Sequence, residues 1–175
     1  EEEEMRAEQA RLEEERARIS QTCAQVSVDA HELTKYAEPV AMTLEAAVSS
    51  LDKGSLMELK ASEKPTDAAQ TLMSAVLTLM ADKPQVPDDL SWTAVKRMMA
   101  DLPAFAESLA RFDKDSVDSV LVVAVEEGFM SGIKKMQFDL EEMQLEHAVG
   151  NLRIWVINIC RYWRMYQELG PHRTR

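Results

Sequence analysis

Histidines, cysteines, paired acids and clustered bases are the side chains here whose types could do chemistry, and their spacing sorts them quickly. His31, His147 and His172 are scattered, and none falls into a metal-ligand or general-base pattern. Cys23 and Cys160 form no CxxC and sit on apolar helical faces. The adjacent acids Glu126 and Glu127, and Glu141 and Glu142, read as solvated helix faces rather than catalytic dyads. P-loop, GxGxxG, HExxH and nucleophile-elbow patterns are all missing from the sequence, so no enzyme is predicted. What remains is a set of bases: Lys53, Lys60, Lys64, Lys96, Arg97 and Arg153. Singly each reads as ordinary solubility. Together, on short helices flanking one end of the chain's long helices, they form a patch that would steer and hold an anionic protein surface.

The composition agrees with a binding role. The chain has 175 residues, 46% of them hydrophobic, with five Gly and six Pro, which suits one helical domain with a sizeable core. The net charge of -11 excludes a nucleic-acid binder that works by general basic excess. That charge is uneven: residues 1–50 carry 12 acids and 5 bases, 51–114 carry 10 and 8, 115–150 carry 8 and 2, and 151–175 carry 1 and 5. The near-neutral middle is therefore where an anionic partner is best tolerated. Two unpaired-looking cysteines fit a reduced compartment. No apolar run reaches the length of a membrane span and nothing resembles a signal peptide, so a soluble chain is expected. The opening EEEE, without an initiator Met, suggests a piece of something longer.

Two long helices must position the patch. From Met5 a seven-residue rhythm runs through Leu12, Ile19, Val26, Leu33, Val40 and Ala47 as d positions, with Gln9, Arg16, Cys23, Ala30, Ala37, Leu44 and Leu51 as a positions. The d row is apolar throughout and the a row starts polar, so the seam specifies its register weakly. Pro39 falls at an outer heptad position and is expected to kink the helix without ending it. The second long helix is GNLRIWVINICRYWRMYQEL, residues 150–169, with a stripe of Leu152, Trp155, Val156, Ile159, Cys160, Trp163 and Tyr166. It holds two of three Trp and two of three Tyr, and is taken as the central helix. Asp139 is its expected cap, and Gly170 with Pro171 its end.

Between them lie five expected short helices. Ser55 with Glu58 reads as a capping box for the first, Thr66 or Asp67 starts the second, and Ser91 caps the third, with Lys96 and Arg97 facing out. Pro103 marks the first turn of the fourth, and Asp115 or Ser116 begins a fifth with Val117, Val120, Leu121 and Ala124 inside. GFMSGIKKMQF reads as a loop or flap with two glycines. The fold class expected is all-α: an antiparallel coiled-coil stalk capped by a small bundle of about six helices. Its divisions are a first stalk helix over 1–51, a helical head over 52–160 and the start of a returning stalk helix over 161–175.

AVSSLDKGSLMELKASEKP, then an apolar helix, then LSWTAVKRMMAD, FDKDSV and GNLRIWVINICRYWRMYQELGP, resembles the stalk and microtubule-binding domain of dynein heavy chains in order and spacing. WVINICRYW is more similar to axonemal outer-arm chains than to cytoplasmic ones, which implies the cytoskeleton of a cilium or flagellum. The resemblance implies a nonenzymatic tip of an ATP-driven motor. It implies no cofactor in this stretch, the ATP and Mg belonging to a ring elsewhere in such chains. Pro39 and Pro171 stand where the family has a proline on each stalk helix, as hinges at the head boundary. Lys60 matches a basic position on the first head helix, Lys53 a lysine just before it and Lys96 one on the third; with Lys64, Arg97 and Arg153 they make the implied tubulin-facing set. In the family the stalk signals by sliding one helix past the other, and a weak a row would ease that shift.

Two departures leave room for another partner. VVAVEEGF stands where many relatives carry Lys and Arg in the fifth helix, and Gln144 replaces a base early on the last. Some axonemal relatives carry a leucine-rich-repeat light chain here, and Glu126, Glu127, Phe129 and Met130 are the residues expected to take it. A coiled-coil adaptor head that binds only another protein is the alternative reading. It predicts dispensable head bases.

Overall fold

The computed structural model describes residues 2–135 and 143–169. Asp139, Gly170 and Pro171 therefore lie outside the described residues, as do the side chains of Val26, Ala30, Leu33 and Gln144. Among the described residues all regular structure is helical: α1 (Glu2–Ser49), α2 (Lys53–Ala61), α3 (Asp67–Leu79), α4 (Trp92–Met98), α5 (Leu102–Ala110), α6 (Ser119–Gly128), α7 (Met130–Lys135) and α8 (Met143–Leu169). The all-α expectation holds. α1 runs through Pro39 without ending.

Short polar residues start the short helices, because an oxygen at the N-cap satisfies an amide the helix cannot. Thr66, Ser91 and Asp101 accept from Ala69 N, Ala94 N and Ala104 N. Pro103 sits in the first turn of α5, where its missing N–H costs nothing. Two starts differ from expectation. Asp52, rather than Ser55, caps α2: its carboxylate accepts from Ser55 N at 2.9 Å and from Ser55 Oγ at 2.7 Å. The anionic oxygen is the stronger acceptor, so the helix begins earlier. Likewise α6 begins after Asp118, not Asp115, because Asp113 and Ser116 close a turn of their own through a 2.7 Å bond. That delay resets the buried face to Leu121, Val122 and Val125 and leaves Val120 exposed.

The expected flap is corrected as well. Met130–Lys135 is helix α7, with Met130 and Ile133 buried. Gly132, read as a breaker, is a contact residue: a Cβ there would come within 3.3 Å of Thr71 Cγ2 on α3. The small residue lets α7 lie close to α3.

The chain divides into two units, Pro39–Arg164 and the remaining described residues. In the larger unit, the head, α3 lies deepest in the core, with Leu72, Met73, Ala75 and Val76 fully buried. Thr78, also fully buried, donates to Ser74 O at 2.8 Å and so leaves no polar group stranded. α8 contributes Leu152, Trp155, Val156, Ile159 and Cys160 to the same core, with Phe112 edge-on to Trp155 at 5.0 Å between centroids. The end of α1 joins this core through Leu44, and Asn151 donates to Ser50 O at 3.3 Å. In the smaller unit Met5, Leu12 and Ile19 are exposed.

Candidate functional site

The bases singled out in the sequence are placed by α2, the segment just after it, α4 and α8, and they fall into two kinds. Lys60 and Arg153 turn their donors onto the protein. Lys60 Nζ donates to Ala100 O at 2.7 Å, and Arg153 donates through Nε to Ile133 O at 2.9 Å and through Nη2 to Lys134 O at 3.2 Å, at the end of α7. The end of a helix leaves carbonyls unpaired and carries the negative end of its dipole, so a cation is a fitting partner there. Lys53, Lys64 and Arg97 are exposed, and Lys96 is half-buried.

Hydrogen bonds join the end of α2 to both ends of α4. Trp92 Nε1, at the start of α4, donates to Ser62 O at the end of α2 at 2.8 Å, and Lys60 reaches across to Ala100 just past the end of α4. Lys60, Lys64, Lys96 and Arg97 thus belong to one neighbourhood. Lys53 opens α2, whose first turn holds no acid. A cation at a helix N-terminus opposes the macrodipole and costs local stability, by about 0.3–1 kcal/mol. Its presence there does nothing for the helix.

Three capping or turn-closing carboxylates of the head are held ionised. Hydrogen bonds from the Ser91 side chain and backbone hold the Asp89 carboxyl below the usual carboxylate range, with Arg97's charge a lesser contribution. Asp52 is lowered chiefly by the Ser55 side chain and Asp113 chiefly by that of Ser116.

The second expected cluster is less open. Glu126 pairs with Arg164 of α8, its side chain only 15% exposed, while Met130 is buried, Phe129 half-buried and Glu127 exposed. Beside Glu127, α6 exposes Val120 and Val123. Between α5 and α6, Asp115 accepts a hydrogen bond from the Tyr162 hydroxyl and Lys114 stands over the Tyr162 ring at 5.3 Å, tying that loop to α8. Trp92, Gln70, Ser74 and Tyr162 were missed in the sequence as site-shaping residues. The acceptors of the first three are backbone carbonyls, which carry no sequence signal, and Tyr162 finds its partner 47 positions away. Among the described residues no group of three or more His, Cys, Asp or Glu could hold a metal ion, and no helix is long and apolar enough to cross a membrane.

The described residues thus form a small helical head with exposed bases on and beside α2 and α4, preceded in the chain by a long heptad-patterned helix, the make-up of a binding module. Over residues 1–175 the chain matches the family described as the microtubule-binding stalk of dynein motor, and it belongs to that family. It is 38% identical over 138 residues, 79% of its length, to a dynein beta chain of the flagellar outer arm from Chlamydomonas reinhardtii. To human dynein axonemal heavy chain 17 and to a ciliary dynein beta chain from Tripneustes gratilla it is 33% and 30% identical, each over 78% of its length. The chain spans 3% of the length of these relatives.

Proposed function

We propose that the head, Pro39–Arg164, binds the microtubule reversibly in an axonemal dynein heavy chain. Lys53, Lys64, Lys96 and Arg97 are its contacts with tubulin, whose acidic surface suits them. The observation that carries the reading is the division among the bases. These four are not spent on the protein's own carbonyls in the way Lys60 and Arg153 are, and Lys53 stands where it opposes its helix. Axonemal placement rests on the named relatives, which are flagellar, ciliary and axonemal chains. Residues 1–51 and 161–175 are the stalk helices of this reading, with 52–160 between them, Pro39 and Pro171 the hinges, and α1 the helix whose register couples binding to an ATP-driven ring. This stretch then does no chemistry itself.

The test is co-pelleting with microtubules over a salt series, beside a Lys96→Ala, Arg97→Ala variant. Binding at low salt that falls with added salt, and a further loss in the variant, supports the reading, because contacts between exposed charges are screened. Equal pelleting of the two chains would overturn the assignment of these bases.

A leucine-rich-repeat light chain as a further partner is favoured by one observation, the exposed Val120 and Val123 beside Glu127 on α6. Glu127→Lys with Val123→Asp in a pull-down tests it, and undiminished capture sinks it.

A further inference from the structure

We infer that Lys60 acts on the partner indirectly, as a positioning residue that holds α4, and with it Lys96 and Arg97, at the angle that meets tubulin; this rests on the microtubule reading above. α4 has seven residues. Isolated helices shorter than about 12 residues are marginal in water, so such a helix takes its stability and direction from its surroundings.

The start of α4 is pinned from two neighbours. Gln70 Nε2 and Ser74 Oγ of α3 donate to Leu90 O at 2.9 and 3.2 Å, and Trp92 Nε1 donates to Ser62 O at 2.8 Å. Buried Val95 and Met99 seat its inner face. The far end carries both bases in its last turn, and Ala100 follows, its N–H bonded back to Arg97 O at 3.1 Å. There the Lys60 ammonium, arriving from α2, holds the Ala100 carbonyl at 2.7 Å. A charged donor at a helix C-terminus is among the stronger single hydrogen bonds a protein makes. Without it the pinned start and the buried Met99 remain, and the outer, base-bearing side of the last turn loses its tie to α2.

The alternative, that Lys60 touches tubulin itself, makes a different prediction for coupling. Lys60→Met keeps the apolar stem and removes the donor. In hydrogen exchange on the chain alone, the strap requires faster exchange over residues 95–101 in this variant, with α3 and α8 unchanged. Unchanged exchange there overturns the strap whatever the microtubule does. In co-pelleting, Lys60→Met is then combined with Lys96→Ala and Arg97→Ala. We expect it to weaken binding about tenfold in the otherwise native chain, the worth of one charge-assisted bond. Once Lys96 and Arg97 are gone it should change binding by no more than about twofold, since its effect runs through them.

A full, additive loss in that background assigns a direct contact and overturns the inference. Lys60→Arg, which keeps a donor, is expected to restore both readouts, and it keeps the proposal testable should the Met variant fold poorly. Binding as weak as that of the Met variant would count against the strap. A native chain that does not pellet defeats the microtubule reading instead, and the exchange measurement tells the two failures apart.

Discussion

The two halves of α1 carry one heptad rhythm and meet opposite fates. Met5, Leu12 and Ile19 are 61%, 55% and 57% exposed, whereas Val40, Leu44 and Ala47 are 5%, 6% and 4% exposed. The second half lies on the head core, where Leu44 and Val48 line a cavity of about 370 Å³ with Leu109, Phe112, Trp155 and Ile159. The first half, through residue 38, carries 11 acids and 5 bases. The units divide at Pro39, which lacks the N–H that would bond one turn back, so the helix is one hydrogen bond short at that boundary. A periodic pattern specifies a face. What that face meets decides whether it contributes to stability, and the same spacing of Leu residues is worth several kcal/mol in one place and almost nothing in the other.

The sharpest way to break this comparison is thiol chemistry, because the first half of α1 has one cysteine and the head core on which the second half lies has the other. Cys23 is exposed on the first half of α1, while Cys160 is buried in the head. Burial, and then the negative charge of Glu126, push the Cys160 thiol up to about 12. At pH 8 roughly one Cys160 in ten thousand is a thiolate, the form that reacts. Alkylation followed by mass spectrometry should label Cys23 fast and Cys160 only under denaturant. Equal labelling of both in the native chain would show that the head core is not closed over α8.

A smaller but still large contrast is expected in stability. Leu44→Ala should cost about 2–5 kcal/mol, and Leu12→Ala no more than about 0.5 kcal/mol. Trp92, Trp155 and Trp163 all belong to the head, so denaturant unfolding followed by Trp fluorescence reads Leu44→Ala, and the far-UV helix signal, to which all of α1 contributes, reads Leu12→Ala. Comparable losses in the two variants would mean that the first half is packed.

Much of the fold was legible in the sequence because helix signals are local. The stripe of Leu152, Trp155, Val156 and Ile159, the caps at Thr66 and Ser91 and the Pro103 start depend on residues within a turn of each other. The errors came where a local signal had two readings. Gly132 reads as a breaker until α3 is placed against it, and Ser55 reads as a cap until Asp52 outcompetes it. The candidate bases were legible by type, yet their division was not. Whether Lys60 or Arg153 spends its donors on Ala100 O, Ile133 O or Lys134 O depends on carbonyls that every residue has, 40 and about 20 positions away.

Tyr162→Phe sharpens the comparison at finer scale. The tie from Tyr162 to Asp115 binds the loop between α5 and α6 to α8 within the head, and losing it should cost about 1 kcal/mol. The phenyl ring keeps the packing and the Lys114 contact, so the change isolates the hydroxyl. Denaturant midpoints equal to the native chain would show that water replaces the bond without loss.

Acid is expected to loosen the head, by the smallest amount of all. In the head, Asp52, Asp89 and Asp113 have folded pKa values held below the ordinary 3.8, each first by a serine side chain. A depressed carboxyl contributes stability that is present above its unfolded value and lost as pH falls through the folded one, so the head should weaken below about pH 4. A titration read by Trp fluorescence should therefore show the head loosening as pH falls below about 4. A signal that stays flat through that range would show that the bonds from Ser55, Ser91 and Ser116 to these carboxylates contribute nothing to the stability of the head.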